Sequence, residues 1–182
     1  MVPAVLILSL AWTLKAMTDS LGAGAFVDAL VSHAGFHVAS LLPGVMFLIA
    51  CVMAFATGTS WGTFGILIPI VVNLFAQTDT QMMIISISAC MAGAVCGDHC
   101  SPISDTTIMS SAGAQCEHVH HVSTQLPYAV TVAAISFLTY LVAGYVRRAW
   151  IALPFGIALT AGVLLMIRRQ VRKHPELAEK DA

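Results

Sequence analysis

Residues 97–107 read GDHCSPISDTT, which places two carboxylates, a histidine, a thiol and four hydroxyls within eleven positions. Three kinds of chemistry suit such a cluster. Thiolates and imidazoles hold zinc, a carboxylate with a neighbouring base exchanges protons, and a set of oxygens surrounds a hard cation. The flanking sequence is strongly apolar, and a charge buried in an apolar medium is costly unless something compensates it.

The zinc reading draws on Cys96, His99, Cys100, Cys116, His118, His120 and His121. Their order, C-x2-H-C and then C-x-H-x-H-H, matches no finger or ribbon, and the HExxH pattern of zinc hydrolases is missing from the chain. Glu117 to His121 read instead as a solvated loop at a membrane face. No resident metal, cofactor or enzymatic activity is expected. The five cysteines are odd in number and two of them, Cys51 and Cys90, lie inside apolar runs, so they do not form a secreted disulfide framework.

The oxygen-cage reading gains from a second polar interruption, TGTSWGT at 57–63. Thr57, Thr59, Ser60 and Thr63 offer hydroxyl and carbonyl oxygens there, as Ser101, Ser104, Thr106 and Thr107 do in the first stretch, with Asp98 and Asp105 adding charge. Irregular backbone at membrane depth is tolerated where it is buried in protein or lines a cavity. Transport proteins use such interruptions to surround a substrate near the bilayer midplane.

Charge placement points the same way. Lys and Arg are absent from residues 16 to 146, while that stretch holds Asp19, Asp28, Asp79, Asp98, Asp105 and Glu117. Asp28, Asp79 and Glu117 read as loop acids. An intramembrane acid with no fixed basic partner is neutralised by a proton or by a bound cation. Desolvation favours the proton and a nearby cation displaces it, so the two compete for one site. Exchange of one for the other across a rocking barrier is antiport. The candidates are Asp105, expected to hold the ion with Ser104, Thr106, Thr107, Thr57, Thr59 and Ser60; Asp98, expected as a proton-binding or supporting carboxylate; and Asp19 from an earlier break.

The elements that must position these residues are membrane helices. Of the 182 residues 58% are hydrophobic and 9% charged, against roughly 25% charged in a soluble domain. The expected fold class is all-α: a polytopic integral membrane protein of five or six embedded segments, some broken or re-entrant. Apolar stretches fall at 3–17, 41–57, 64–76, 82–95, 126–146 and 150–167. Pro43 suits the first turn of a helix starting at Leu41. The glycine-bearing run at 97 reads as a helix end, and the Ala, Ser and Gly of 82–95 allow close helix approach. Residues 1–167 form the membrane domain and 168–182 a tail. Arg168, Arg169, Arg172 and Lys173 outweigh Arg147 and Arg148, which places the C-terminus in the cytoplasm.

Two motifs, TGTSWGTFGILIPI at 57–70 and GDHCSPISDTTIMSSAGAQCEHVHHVSTQLPYA at 97–129, resemble the NhaC family of sodium/proton antiporters. AWTLKAMTDSLGAGAFV at 11–27 is similar to the segment that precedes them in that family. The resemblance implies an inner-membrane carrier for sodium and protons, with its transport site near 57–63 and 98–107. It also implies an alternative cargo, since some members exchange organic acids such as malate and lactate. At 120 and 123, where the family usually carries an acid and a base, this chain has His120 and Ser123. Members are more than twice as long, so the chain is expected to be the C-terminal part of a repeat-built secondary transporter. It would be a fragment, or would work in the bilayer with a separate N-terminal half or a second protomer. A non-transporting membrane subunit is the alternative of another class. No nucleic-acid partner is expected.

Overall fold

The computed structural model of the chain describes residues 23–75 and 79–173, with positions 13, 17 and 20 beside them, and within 23–39 the backbone alone. Asp19, most of the segment expected at 3–17 and the tail beyond Lys173 lie outside the described residues. Those residues form six helices and no strand: α1 (Ala23–Thr57), α2 (Ser60–Phe75), α3 (Thr80–Cys100), α4 (Asp105–Gly113), α5 (His118–Val146) and α6 (Ala149–Lys173). Four of them, α1, α3, α5 and α6, contain stretches long and apolar enough to cross a membrane. At 16 residues α2 extends about 24 Å, short of a hydrocarbon core of about 30 Å. The molecule is an all-α membrane protein.

Three boundaries differ from the sequence reading, each for a physical reason. The helix placed at Leu41 begins far earlier, and Pro43 sits inside α1. Proline interrupts a helix by removing one hydrogen bond, a loss that packed membrane helices tolerate. Pro43 is fully buried, with Gly144 of α5 against it. The loop placed at 117–121 is instead the start of α5, with Glu117 at the N-cap. Finally, α3 does not end near Gly97 but continues to Cys100, so the second break is only Ser101–Ser104.

Gly97 explains that continuation. A Cβ there would overlap the carbonyl oxygen of Cys51, and one at Gly93 would overlap that of Phe47. The two glycines, four apart, present one bare stripe of α3 to carbonyls four apart on α1, which is how small-xxx-small pairs bring membrane helices into backbone contact. The α1–α3 interface is the most extensive among the described residues. Around it lies the core, with Met46, Ala50 and Ala54 from α1, Leu67 and Val71 from α2, and Met82, Cys90 and Ala94 from α3. Gly144 repeats the device, letting α5 approach the Ser40 carbonyl of α1. Tyr140 of α5 stacks on Phe47 at 5.6 Å and places its hydroxyl 3.0 Å from Ser88 Oγ of α3.

At the opposite end of α3 from the break, Asp79 has two tasks. Its Oδ1 accepts from the backbone N–H groups of Gln81 and Met82 at 3.1 and 3.0 Å, capping α3. Its Oδ2 accepts from Arg147 Nη1 at 2.7 Å, tying the C-terminus of α5 to that cap. Gln81 Nε2 donates to the Arg147 carbonyl and closes the same corner. The pair is partly solvated, with both side chains 29% exposed, so the ion pair itself is worth less than about 1 kcal/mol. The cap contributes about 1 kcal/mol. Asp79→Asn keeps a capping oxygen and should cost less in detergent unfolding than Asp79→Ala, which loses both and should cost about 1–2 kcal/mol.

Candidate cation site

The two polar interruptions meet. Gly58 ends α1 with φ of +65°, a conformation open to glycine at little cost, and its N–H donates to Ala54 O at 2.8 Å. A Cβ at that position would stand 2.9 Å from the carbonyl oxygen of Ile103 in the second break. From the other side, Ser101 Oγ, fully buried, donates to Phe55 O at 2.8 Å. Turn geometry then holds the break together: Ser101 N–H donates to Asp98 O at 3.1 Å and Ser104 N–H to Ser101 O at 3.3 Å.

Asp98 lies on the last turn of α3 and is 5% exposed. Ser104 Oγ donates to its Oδ1 at 2.6 Å, and Thr106 Oγ1 donates to its Oδ2 at 3.2 Å. The two hydroxyls are themselves 2.6 Å apart. Four oxygens of one carboxylate and two alcohols thus converge, and among the described residues the side-chain partners of Asp98 are hydroxyls alone. Ser104 occupies the N-cap of α4, yet its hydroxyl makes no cap bond because it is turned to Asp98. The C-terminal end of α3 and the N-terminal end of α4 flank the same four-residue break, as in the interrupted helices that bind ions inside carriers.

The remaining candidates are distributed around this centre. Thr107 is buried and its Oγ1 reaches His99 O at 3.5 Å. Asp105 is exposed, and its Oδ1 accepts from the N–H of Thr106 at 2.8 Å. Thr57 is exposed and donates back to Met53 O at 2.8 Å. Thr59 heads α2, its hydroxyl 3.5 Å from the N–H of Gly62 and its carbonyl accepting from buried Thr63 at 3.0 Å. Ser60 opens α2, half-buried. The structure therefore gathers Asp98, Ser104 and Thr106 into direct contact, and brings the first break against the second through backbone rather than through its hydroxyls. Among the described residues no three His, Cys, Asp or Glu side chains form a group able to hold a metal.

His118, one of the imidazoles of the zinc reading and part of the loop expected at 117–121, joins the break directly: its Nε2 lies 2.6 Å from Pro102 O and its Nδ1 3.1 Å from Ser111 Oγ. Sequence reasoning had no means to find that contact, because it spans sixteen residues and ends on a backbone oxygen.

A relative in Haemophilus influenzae, an uncharacterized protein, is 45% identical over 170 residues, which are 93% of this chain and 32% of that protein. A malate-2H(+)/Na(+)-lactate antiporter of Bacillus subtilis is 28% identical over 124 residues, 68% of this chain and 26% of that protein. The chain thus spans about a third or less of the curated relatives it matches. No solved structure matches it. The sequence profile of the Na+/H+ antiporter family matches residues 1–145, taking in both interruptions, Asp98 and the hydroxyls that hold it, and the chain belongs to that family.

Proposed function

We propose that the pocket around Asp98 is the exchange site of a sodium/proton antiporter of the plasma (inner) membrane. The chain would work as part of a longer carrier, or with a separate N-terminal half or second protomer. The observation that carries this reading is the state of Asp98: a buried carboxylate held by two hydroxyls, in a stretch of 131 residues (16–146) without Lys or Arg. A carboxylate so placed needs a mobile positive charge. Sodium prefers oxygen ligands, as other hard cations do. Ser104 and Thr106 each have lone pairs to offer once their protons turn away, so the same four oxygens serve a proton in one state and a cation in the other. The basic residues at the end of α6, Arg168, Arg169, Arg172 and Lys173, favour a cytoplasmic C-terminus.

A second reading, sodium- or proton-coupled exchange of organic acids, is favoured by the likeness to the malate/lactate antiporter. With Lys and Arg absent from 16–146, an organic carboxylate would be received by backbone N–H groups, and the N-terminus of α4 stands beside Asp98. Everted vesicles containing a pH-sensitive dye separate these readings. The chain is expressed alone, and also with the rest of the Haemophilus influenzae relative as a second polypeptide. Sodium addition alone should dissipate the proton gradient if the cargo is the cation. A response that requires malate or lactate supports the organic-acid reading. No response in either format supports a non-transporting subunit.

A further inference from the structure

The turn that closes over Asp98 is pinned from outside by His118, and the proton count at that pin is uneven. A carbonyl only accepts, so the 2.6 Å contact with Pro102 O requires a proton on Nε2. On the other side Ser111 Oγ stands 3.1 Å from Nδ1 and 2.9 Å from Ile108 O. Ser111 is buried and has one hydroxyl proton for two acceptors. A neutral ring carries one N–H: with it on Nε2 one of the two Ser111 contacts lacks a proton, and with it on Nδ1 the contact to Pro102 O does. When the ring is an imidazolium, Nδ1–H donates to Ser111, Ser111 donates to Ile108 O and Nε2–H donates to Pro102 O. Every contact is then made, two of them strengthened by the charge.

We infer that His118 is a positioning residue of the cation site, whose protonation closes the 101–104 turn over Asp98 and whose deprotonation loosens it. This rests on the reading of Asp98 as the exchange site. The mechanical link is short. Pro102 sits between Ser101, anchored on Phe55 O, and Ser104, which donates to Asp98. The amides of Ile103 and Ser104 hold to Ser101 Oγ and O at 3.4 and 3.3 Å, so the turn moves as one piece. With the clamp released, Ser104 is free to withdraw its proton from Oδ1 and turn a lone pair toward a cation. The sign follows: the clamp is tight at low pH and loosens as pH rises, so release adds to sodium affinity as the proton concentration falls.

The titratable groups on the elements packed here are Asp98, His99 and Cys100 at the end of α3, Asp105 on α4, Cys116 and Glu117 in the connection, and His120 and His121 on α5. The contacts of the His118 ring are with Ser111 and Pro102, and His99 turns its Nδ1 to Val95 O at 2.8 Å. Of these groups, histidines are the ones whose ordinary titration falls between about pH 5 and 8. His99, His120 and His121 are separated from His118 by substitution.

The purified 182-residue chain is followed by amide hydrogen exchange over peptides covering 101–106, corrected for intrinsic rates, across that pH range. Sodium midpoints are taken in the same samples. Wild type should lose protection about fivefold as pH rises, the weight of one hydrogen bond. Its sodium midpoint should fall more steeply with pH than in His118→Gln, which keeps a donor for Pro102 O and does not titrate. Ser111→Ala removes the contested hydroxyl and should flatten the exchange profile as well, so the test survives if one variant fails to fold. Identical exchange profiles in wild type and both variants overturn the inference. So does a flattened exchange profile with no change in the pH slope of the sodium midpoint. Absence of any sodium response at any pH fails the exchange-site reading and the positioning role with it, while the exchange data still report on the clamp.

Discussion

Asp98→Asn is expected to reduce sodium-driven proton movement to the level of vesicles lacking the protein. The amide is nearly the same size, and its oxygen still accepts from Ser104, so the fold around it should persist. Its nitrogen, however, no longer accepts from Thr106, and an amide neither binds nor releases a proton near neutral pH. Without a titrating group between the two interruptions, sodium has nothing to displace. Asp105→Asn is the informative companion. Asp105 is exposed and bonded to its own neighbour's N–H, so losing its charge should change the rate by less than about fivefold. The pair separates a buried carboxylate proposed to exchange ions from an exposed one in the first turn of α4.

Gly97→Leu is expected to destroy the fold rather than tune it. Even a Cβ at that position overlaps the carbonyl of Cys51, so α3 would have to move off α1 along the interface that organises the core. The cost should exceed about 4 kcal/mol, at the extreme of single substitutions. Because α3 carries Asp98 and the break that follows, the candidate cation site would be lost with the packing. Gly162→Leu, at a position in α6 where a Cβ meets nothing within 4 Å, should leave stability and folding yield near wild type. Detergent unfolding and size-exclusion profiles of the two variants check this.

Membrane class, helical fold and family were all legible in the sequence, because each rests on long averages or long motifs. The apolar runs and the missing Lys and Arg are not altered by packing detail. The exact break was less legible. Gly97 reads as punctuation in a one-dimensional pattern, whereas its missing side chain is used for backbone contact with α1, and a helix continues through it. Pro43 reads as a helix start for the same reason, and only burial against Gly144 explains its place inside α1.

Which of the two acids is buried was not legible in the sequence. Asp98 and Asp105 lie seven residues apart, on either side of Pro102, with hydroxyls near both. Sequence reasoning set the ion at Asp105 with Asp98 in support. In the folded chain it is Asp98 that is buried under Ser104 and Thr106, since α3 continues far enough to carry it inward, while Asp105 opens α4 on the exposed side. That difference depends on where one helix stops and the next starts, a boundary set by tertiary packing.

Proton release on sodium binding tests the exchange directly. Sodium is titrated into lightly buffered, purified protein while the liberated acid and the bound sodium are both measured. If Asp98 holds a proton in one state and the cation in the other, wild type should release about one proton for each sodium bound, and Asp98→Asn should release none. Sodium binding by Asp98→Asn with the same proton release as wild type would contradict the account.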